Sequence, residues 1–145
     1  MKTITAIMIL SLFSTMLGFS QSGSIAIYLK KSLEISRQVR IIFFDLQLKK
    51  ELSKDEKDDY LGRIEAIQKL GKELREKIPV VYFRPDPNIK AEKLTQIVID
   101  VSMLEIGSIE AFIRINDKAF MEISIEQDNV LEILWKNLSN YSAVL

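Results

Sequence analysis

Apolar residues recur at helical spacing through one long stretch of this chain, residues 53–77. Apolar side chains appear there every three or four positions, which is typical of a helix with one buried face. Ser53 and Glu56 have the spacing of a capping box, and basic residues accumulate towards the carboxyl end. The pattern therefore predicts a helix over 53–77.

Two further helices are predicted in the second half of the chain. Over 89–106 an apolar stripe follows Asn88, a residue suited to an N-cap, and stops at Gly107, a residue suited to a left-handed C-cap. A last helix is predicted over 130–138, starting after Asp128 or Asn129.

Strands are predicted where apolar residues form a continuous run or alternate with polar ones. A central strand is predicted over 79–84, because Val80, Val81, Tyr82 and Phe83 form an unbroken apolar run after Pro79. Residues 110–115 and 119–125 alternate on either side of Asn116-Asp117-Lys118, which predicts a β-hairpin.

Residues 24–52 fit two interpretations. The segment 38–44, QVRIIFF, is rich in β-branched and aromatic residues, which favours a strand. A long helix competes with it, because several apolar residues also keep helical spacing. They are Ile35, Val39, Ile42, Phe43 and Leu46. We favour the strand, so the elements together predict an α/β domain over 23–145: a mixed sheet of about four to five strands with two to three helices packed on it.

The first twenty-two residues have the pattern of a secretory signal peptide. Lys2 precedes an apolar run, and the small residues Gly18, Ser20 and Ser22 suit cleavage. A membrane anchor is the alternative, but the run 4–19 is shorter than the roughly 20 residues that span a bilayer. We expect export to the periplasm. Membrane contact, as an inner-membrane protein facing the periplasm, is expected only if residues 1–22 are retained.

Composition narrows the classes of function. The 20 basic and 20 acidic residues balance, which argues against a nucleic-acid partner. The chain contains no cysteine and no histidine, so thiol chemistry, the commonest metal ligands and the usual general base are missing. We therefore expect no enzyme activity, no cofactor and no metal, with carboxylate-only chemistry as the remaining catalytic possibility.

Three residues are candidates for interaction. Arg84 and Asp86 lie in a proline-rich loop between a predicted strand and a helix start, where α/β folds often place ligands. The same loop also fits a simple stiffened turn. Trp135 shares a predicted helix face with leucines, so it is either a core residue or an anchor for a protein partner.

Residues 39–115 carry a resemblance to a known family. Pro79-Val80-Val81, Arg84, Asp86 and the helix before Gly107 resemble the periplasmic domain of the ExbD/TolR family. The resemblance implies a small α/β domain that dimerises in the periplasm beside proton-driven energisers of outer-membrane transport. It does not imply proton coupling here, since the apolar run 4–19 contains no acidic residue.

The function expected from these observations is that of a non-catalytic, exported cell-envelope protein that binds a protein partner or itself. It is expected to be an accessory protein, with the ExbD/TolR resemblance pointing to energised transport. Two alternatives remain open: a small carboxylate-dependent periplasmic enzyme, and an immunity-type protein that neutralises a toxin.

Overall fold

A computed structural model describes residues 24–82 and 89–142, and these residues form four helices. The helices are α1 (Ser24–Gln47), α2 (Lys54–Tyr82), α3 (Ile89–Ile115) and α4 (Lys118–Ser142). Within the described residues there is no strand, so the fold is all-α. The predicted α/β domain with a mixed sheet is therefore wrong.

Helix α3 holds the bundle together. It packs against each of the other three helices and makes its largest contact with α4, whereas α1 touches α4 only lightly. Short connections at 48–53 and 116–117 join α1 to α2 and α3 to α4. The result is two helical hairpins that meet along α1 and α3.

Two apolar clusters fill the interior. The larger cluster joins α1, α2 and α3, and its most buried members are Val39, Ile42, Ile64, Ile99, Ile106 and Ile109. The smaller cluster joins α1, α3 and α4 through Leu29, Val98, Leu131, Leu134 and Leu138. Because α1 and α3 contribute to both clusters, they are the helices on which the rest of the bundle packs.

Helix α2 confirms the predicted capping box. The backbone N–H of Ser53 donates to Glu56 Oε2 over 2.9 Å, and the N–H of Glu56 donates to Ser53 Oγ over 3.2 Å. Each side chain thereby satisfies a donor that the first turn of a helix leaves unpaired. Lys49 also bonds Glu56, and these contacts lower the pKa of that carboxyl to about 2.

The strand favoured within 24–52 is wrong, since α1 runs through the whole of 38–44. In a strand Val39, Ile41 and Phe43 would share a face. Instead Val39 and Phe43 are buried while Ile41 is exposed, as a helix requires. The β-branched residues suggested a strand, but the preference of such residues for strands depends on the side chains that pack around them.

The central strand predicted over 79–84 is also wrong for residues 79–82, since α2 continues past Pro79 to Tyr82. Proline removes one backbone hydrogen bond, but extending a long helix needs no new nucleus. The remainder of that segment lies outside the described residues.

Helix α3 confirms the predicted helix but extends it beyond Gly107, which is not a C-cap. The left-handed residue is Asn116, with φ of 57°, and its N–H donates to the carbonyl of Phe112 over 2.8 Å. That single bond is the pattern of an αL cap. The strand predicted over 110–115 is therefore the end of α3.

The predicted β-hairpin is a helical hairpin. A turn does lie at 116–117, as expected, but the helix α4 follows it at Lys118. The strand predicted over 119–125 is therefore wrong, and the helix predicted over 130–138 is part of the longer α4. Asp117 Oδ1 accepts the N–H of Ala119 over 3.0 Å and so caps the new helix. Among the described residues no helix has both the length and the apolar character needed to cross a bilayer.

Candidate functional site

A buried polar cluster lies where α1, α3 and α4 meet. Arg40 from α1 donates through Nε to Asp128 Oδ1 over 2.8 Å and through Nη2 to Asp128 Oδ2 over 3.1 Å. Asp128 is only 4% exposed, and this two-pronged pairing compensates its buried charge. Glu105 from α3 completes the cluster and is fully buried.

Glu105 is the side chain with the most unusual surroundings. Neither of its carboxyl oxygens has a hydrogen-bond partner among the described residues. Burial raises the pKa of Glu105 to about 8, the nearby Asp128 carboxylate adds to the rise, and Arg40 opposes it. At neutral pH Glu105 is therefore protonated, and it lies beside the ion pair of Arg40 and Asp128.

The surroundings of Arg40 hold it in place. Its guanidinium lies 5.4 Å from the centre of the Phe44 ring and 4.0 Å from Glu132 Oε2. The hydrogen bond to Asp128 is the main cause that raises the pKa of Arg40 above its usual value. The cation is therefore fixed between α1 and α4, and the cluster sets how these helices align.

The chemistry open to this cluster is limited by burial. Glu105 and Asp128 face each other inside the bundle rather than across a cleft, so a substrate has no approach to them. Among the described side chains no group of three or more His, Cys, Asp or Glu residues could hold a metal ion. What the cluster can do is bind a proton and fix helix register.

An open groove lies at the end of the bundle where both hairpins turn. Its volume is about 860 Å³, and it lies between the α1–α2 connection and the start of α4. The lining includes Leu46, Lys49, Lys50, Phe112 and Met121. The groove is wide and mixed in character, without convergent buried polar groups of the kind that orient a small ligand.

Helices α3 and α4 each carry a second series of mostly apolar residues on the side opposite the buried stripe, interrupted by Ser108, Glu126 and Asn137. The spacing alternates between four and three residues, as in a coiled-coil seam. On α3 the series is Ile97, Val101, Leu104, Ser108, Ala111 and Ile115. On α4 it is Ala119, Ile123, Glu126, Val130, Ile133 and Asn137. Every member is exposed or part-exposed.

The two series lie on one surface, because α3 and α4 pack side by side as an antiparallel hairpin. We call this surface the outer face and define it by Ile97, Val101, Leu104, Ile123, Val130 and Ile133. Leu104 is 62% exposed and Ile133 is 60% exposed. Aliphatic side chains exposed to this degree, in register on neighbouring helices, are typical of an interaction surface.

A smaller exposed apolar set lies at the carboxyl end of α1. It consists of Ile41 and Phe44 in the helix and Leu48 just after it, and Leu48 is 86% exposed. This set covers eight residues, about 11 Å, whereas the α3 series covers about 27 Å. The outer face is the more extensive surface.

Of the three residues singled out from the sequence, Trp135 lies in the described part of the chain. Arg84 and Asp86 lie outside the described residues. Trp135 is half-buried in α4, and its Nε1–H donates to Ser36 Oγ of α1 over 2.8 Å. Trp135 therefore joins α4 to α1 inside the bundle, close to the smaller cluster.

The polar cluster was missed because its members are far apart in the sequence; Arg40 and Asp128 are 88 positions apart. A local signal did exist: Glu105 falls in the apolar stripe of α3, between Ser102 and Ile109. A lone charge on a buried helical face is a reason to search for a partner on another helix.

No family model, curated protein or solved structure matches this chain. The ExbD/TolR resemblance thus stays an interpretation of residues 39–115, and the α/β fold that it implied is wrong.

Proposed function

We propose that this chain is a non-catalytic, exported binding protein of the cell envelope that acts through the outer face of α3 and α4. The observation that carries the proposal is the exposed apolar series on these neighbouring helices. A helix surface of this pattern is what knobs-into-holes packing against other helices requires.

The proposal keeps the accessory role and gives it a different surface. Trp135, the anchor candidate from the sequence, is half-buried and donates a hydrogen bond to Ser36, so it is not part of this surface. The proposal does not extend to energised transport, because the α/β unit that suggested this link is absent from the described residues. Export is supported by the signal-like pattern of residues 1–22.

A carboxylate-dependent enzyme is less well supported. Glu105 and Asp128, two carboxyl groups that the fold brings together, are enclosed by three helices. Asp100, on the surface of α3, accepts a hydrogen bond from Arg75 over 2.7 Å, which leaves it as half of an ion pair between helices. A toxin-neutralising role would use the same outer face with a different partner.

The proposal is tested by photo-crosslinking in a Gram-negative host. A photoreactive amino acid is placed at Leu104 or Ile133 on the outer face, and at Glu65 or Lys72, exposed positions of α2, as controls. We expect crosslinked protein adducts in the periplasmic fraction from the outer-face positions, well above those from α2.

Two outcomes would count against the proposal. Equal crosslinking from α2 and from the outer face would show that the apolar series is not a binding surface. Sequencing of the amino terminus checks export separately: we expect the periplasmic form to start near residue 21 or 23, and a wholly cytoplasmic protein with Met1 intact would contradict export.

A further inference from the structure

We propose that the occupant of the outer face is a second copy of this chain, packed antiparallel about a two-fold axis. This inference rests on the proposed function and makes it specific: the first binding partner is the protein itself. Three features of the described residues support it: the position of the two apolar series, their charges and the area of the face.

The first feature is that the two series share one centre. The α3 series runs over 97–115 and the α4 series over 119–137, so their midpoints fall near residues 106 and 128. Because the helices are antiparallel and joined at 116–117, these midpoints lie at the same height in the hairpin. A single two-fold axis can therefore pair α3 with α3 and α4 with α4 of the second copy along their full lengths.

That pairing brings apolar residues together. About this axis Ile97 lies opposite Ile115 of the second copy, and Ile123 lies opposite Ile133 of the second copy. The polar Ser108 meets Leu104, and no two residues of like charge stand directly opposite each other. The isologous interface is thus filled mostly by aliphatic side chains, as a helix–helix contact requires.

The second feature is the distribution of charge along the exposed side of α4. Glu122 and Glu126 lie in its first half, while Lys136 lies near its end and pairs with Glu132 over 3.0 Å. Lys118 also lies in the first half, so neither half carries charge of one sign only. About the axis at residue 128, Lys136 of the second copy lies within two residues of Glu122, which brings opposite charges together at the edge of the contact. A parallel alignment of α4 with α4 would instead set Glu122 and Glu126 against their own copies.

The third feature is area. Helix α3 has 27 residues and is about 40 Å long, and two neighbouring helices are about 20 Å wide. Over the roughly 27 Å that the series cover, the face is about 540 Å² per subunit, or about 1,100 Å² for the pair, which just exceeds the roughly 1,000 Å² expected of a specific interface and fits a concentration-dependent dimer. The α1 set is too short to supply such an area.

The assembly state of the purified mature chain tests the inference directly. We expect light scattering after size exclusion to give twice the mass of one chain, in a concentration-dependent equilibrium. Leu104→Glu should raise the dimer dissociation constant at least about tenfold, because it places a charge in the apolar contact. The matched control Leu48→Glu makes the same change at an exposed leucine just after α1 and should leave the dimer intact.

The orientation is tested with cysteines, of which the chain has none of its own. In the antiparallel pair Ser108 lies close to the axis, so Ser108→Cys should crosslink between copies with a short bis-maleimide. Ile97→Cys should not, since its two copies would lie about 27 Å apart along the helix axis. The double variant Ile97→Cys/Ile115→Cys should crosslink again.

The outcomes separate this inference from the proposed function. A chain that stays monomeric at high concentration overturns the dimer. If its outer face still crosslinks to a different envelope protein, the binding role stands and only the second copy is ruled out. A dimer that is weakened by Leu48→Glu and not by Leu104→Glu overturns the assigned surface, and crosslinking through Ile97→Cys alone overturns the antiparallel order.

Discussion

At the scale of single residues, Glu105 couples the folding of the bundle to pH. Its pKa is raised to about 8 in the folded protein, first by burial and then by Asp128, whereas an unfolded glutamic acid titrates near about 4.3. Between these values the folded state binds more protons than the unfolded chain. The contribution of Glu105 to stability is therefore complete at low pH and is lost as the pH rises towards about 8.

The variant Glu105→Gln removes this titration while keeping the shape of the side chain. We expect the free energy of unfolding of the variant to exceed that of the parent protein above about pH 8, by a margin that shrinks towards about pH 5. Urea denaturation at a series of pH values measures it. Glu65→Gln, an exposed change on α2, should follow the parent, and a pH-independent difference for Glu105→Gln would contradict the assigned pKa.

Arg40 offers a second prediction at this scale. Replacing it by methionine keeps the length of the side chain but leaves Asp128 buried without its cation, which we expect to cost about 3 kcal/mol or more. Arg37→Met, three residues earlier on the exposed side of α1, should change the free energy of unfolding by about 0.5 kcal/mol or less.

A double variant separates loss of the ion pair from loss of packing. Arg40→Met combined with Asp128→Asn removes both charges, and chemical denaturation should show it to be less destabilised than the sum of the single changes. Strict additivity would mean that the two residues do not stabilise each other.

At the scale of elements, two glycines of α2 differ in what surrounds them. A methyl group added at Gly62 would meet nothing within 4 Å, whereas one added at Gly71 would overlap the end of the Met103 side chain of α3. Gly71 thus lets α2 and α3 approach closely, whereas Gly62 only lowers the stability of the helix in which it lies.

The two alanine variants form a matched pair. Gly62→Ala should stabilise the protein by about 0.5–1 kcal/mol, because alanine favours the helix and nothing opposes it. Gly71→Ala brings the same helical gain but must displace Met103, so its effect should be clearly smaller or reversed. Thermal and urea denaturation compare them, and equal effects would contradict the close approach of α2 to α3.

At the scale of the whole molecule, the two apolar clusters are linked because α1 and α3 contribute to both. Ile64→Ala cuts a buried side chain of the larger cluster and should cost about 2–5 kcal/mol. Trp135, the single tryptophan, lies beside the smaller cluster and reports on it by fluorescence. In Ile64→Ala we expect the denaturation midpoint measured by Trp135 fluorescence to shift by the same amount as the midpoint measured by far-ultraviolet circular dichroism, because the bundle unfolds as one cooperative unit.

Separate midpoints would contradict this linkage. If the Trp135 signal of Ile64→Ala stayed at the parent midpoint while circular dichroism shifted, the α3–α4 hairpin would unfold independently of α2. Leu131→Ala, a change of similar size in the smaller cluster, is the converse control and should move both signals equally.

Several features of this protein follow from its sequence alone. The start of α2 was predictable because Ser53 and Glu56 satisfy each other within one turn, and the break at 116–117 because Asn116 and Asp117 suit a chain reversal. The lack of histidine and cysteine limits chemistry whatever the fold. These features depend on residues that are neighbours in the chain.

Tertiary structure decided the rest. Residues 38–44, 110–115 and 119–125 are short apolar stretches that fit a strand or a helix, and burial of one helical face against α3 or α1 selects the helix. The contact of Arg40, Glu105 and Asp128 arises only when three distant helices pack, and so does the joint surface of α3 and α4. Local patterns fix helix ends and turns, but long-range packing determines which faces are buried and which remain to bind.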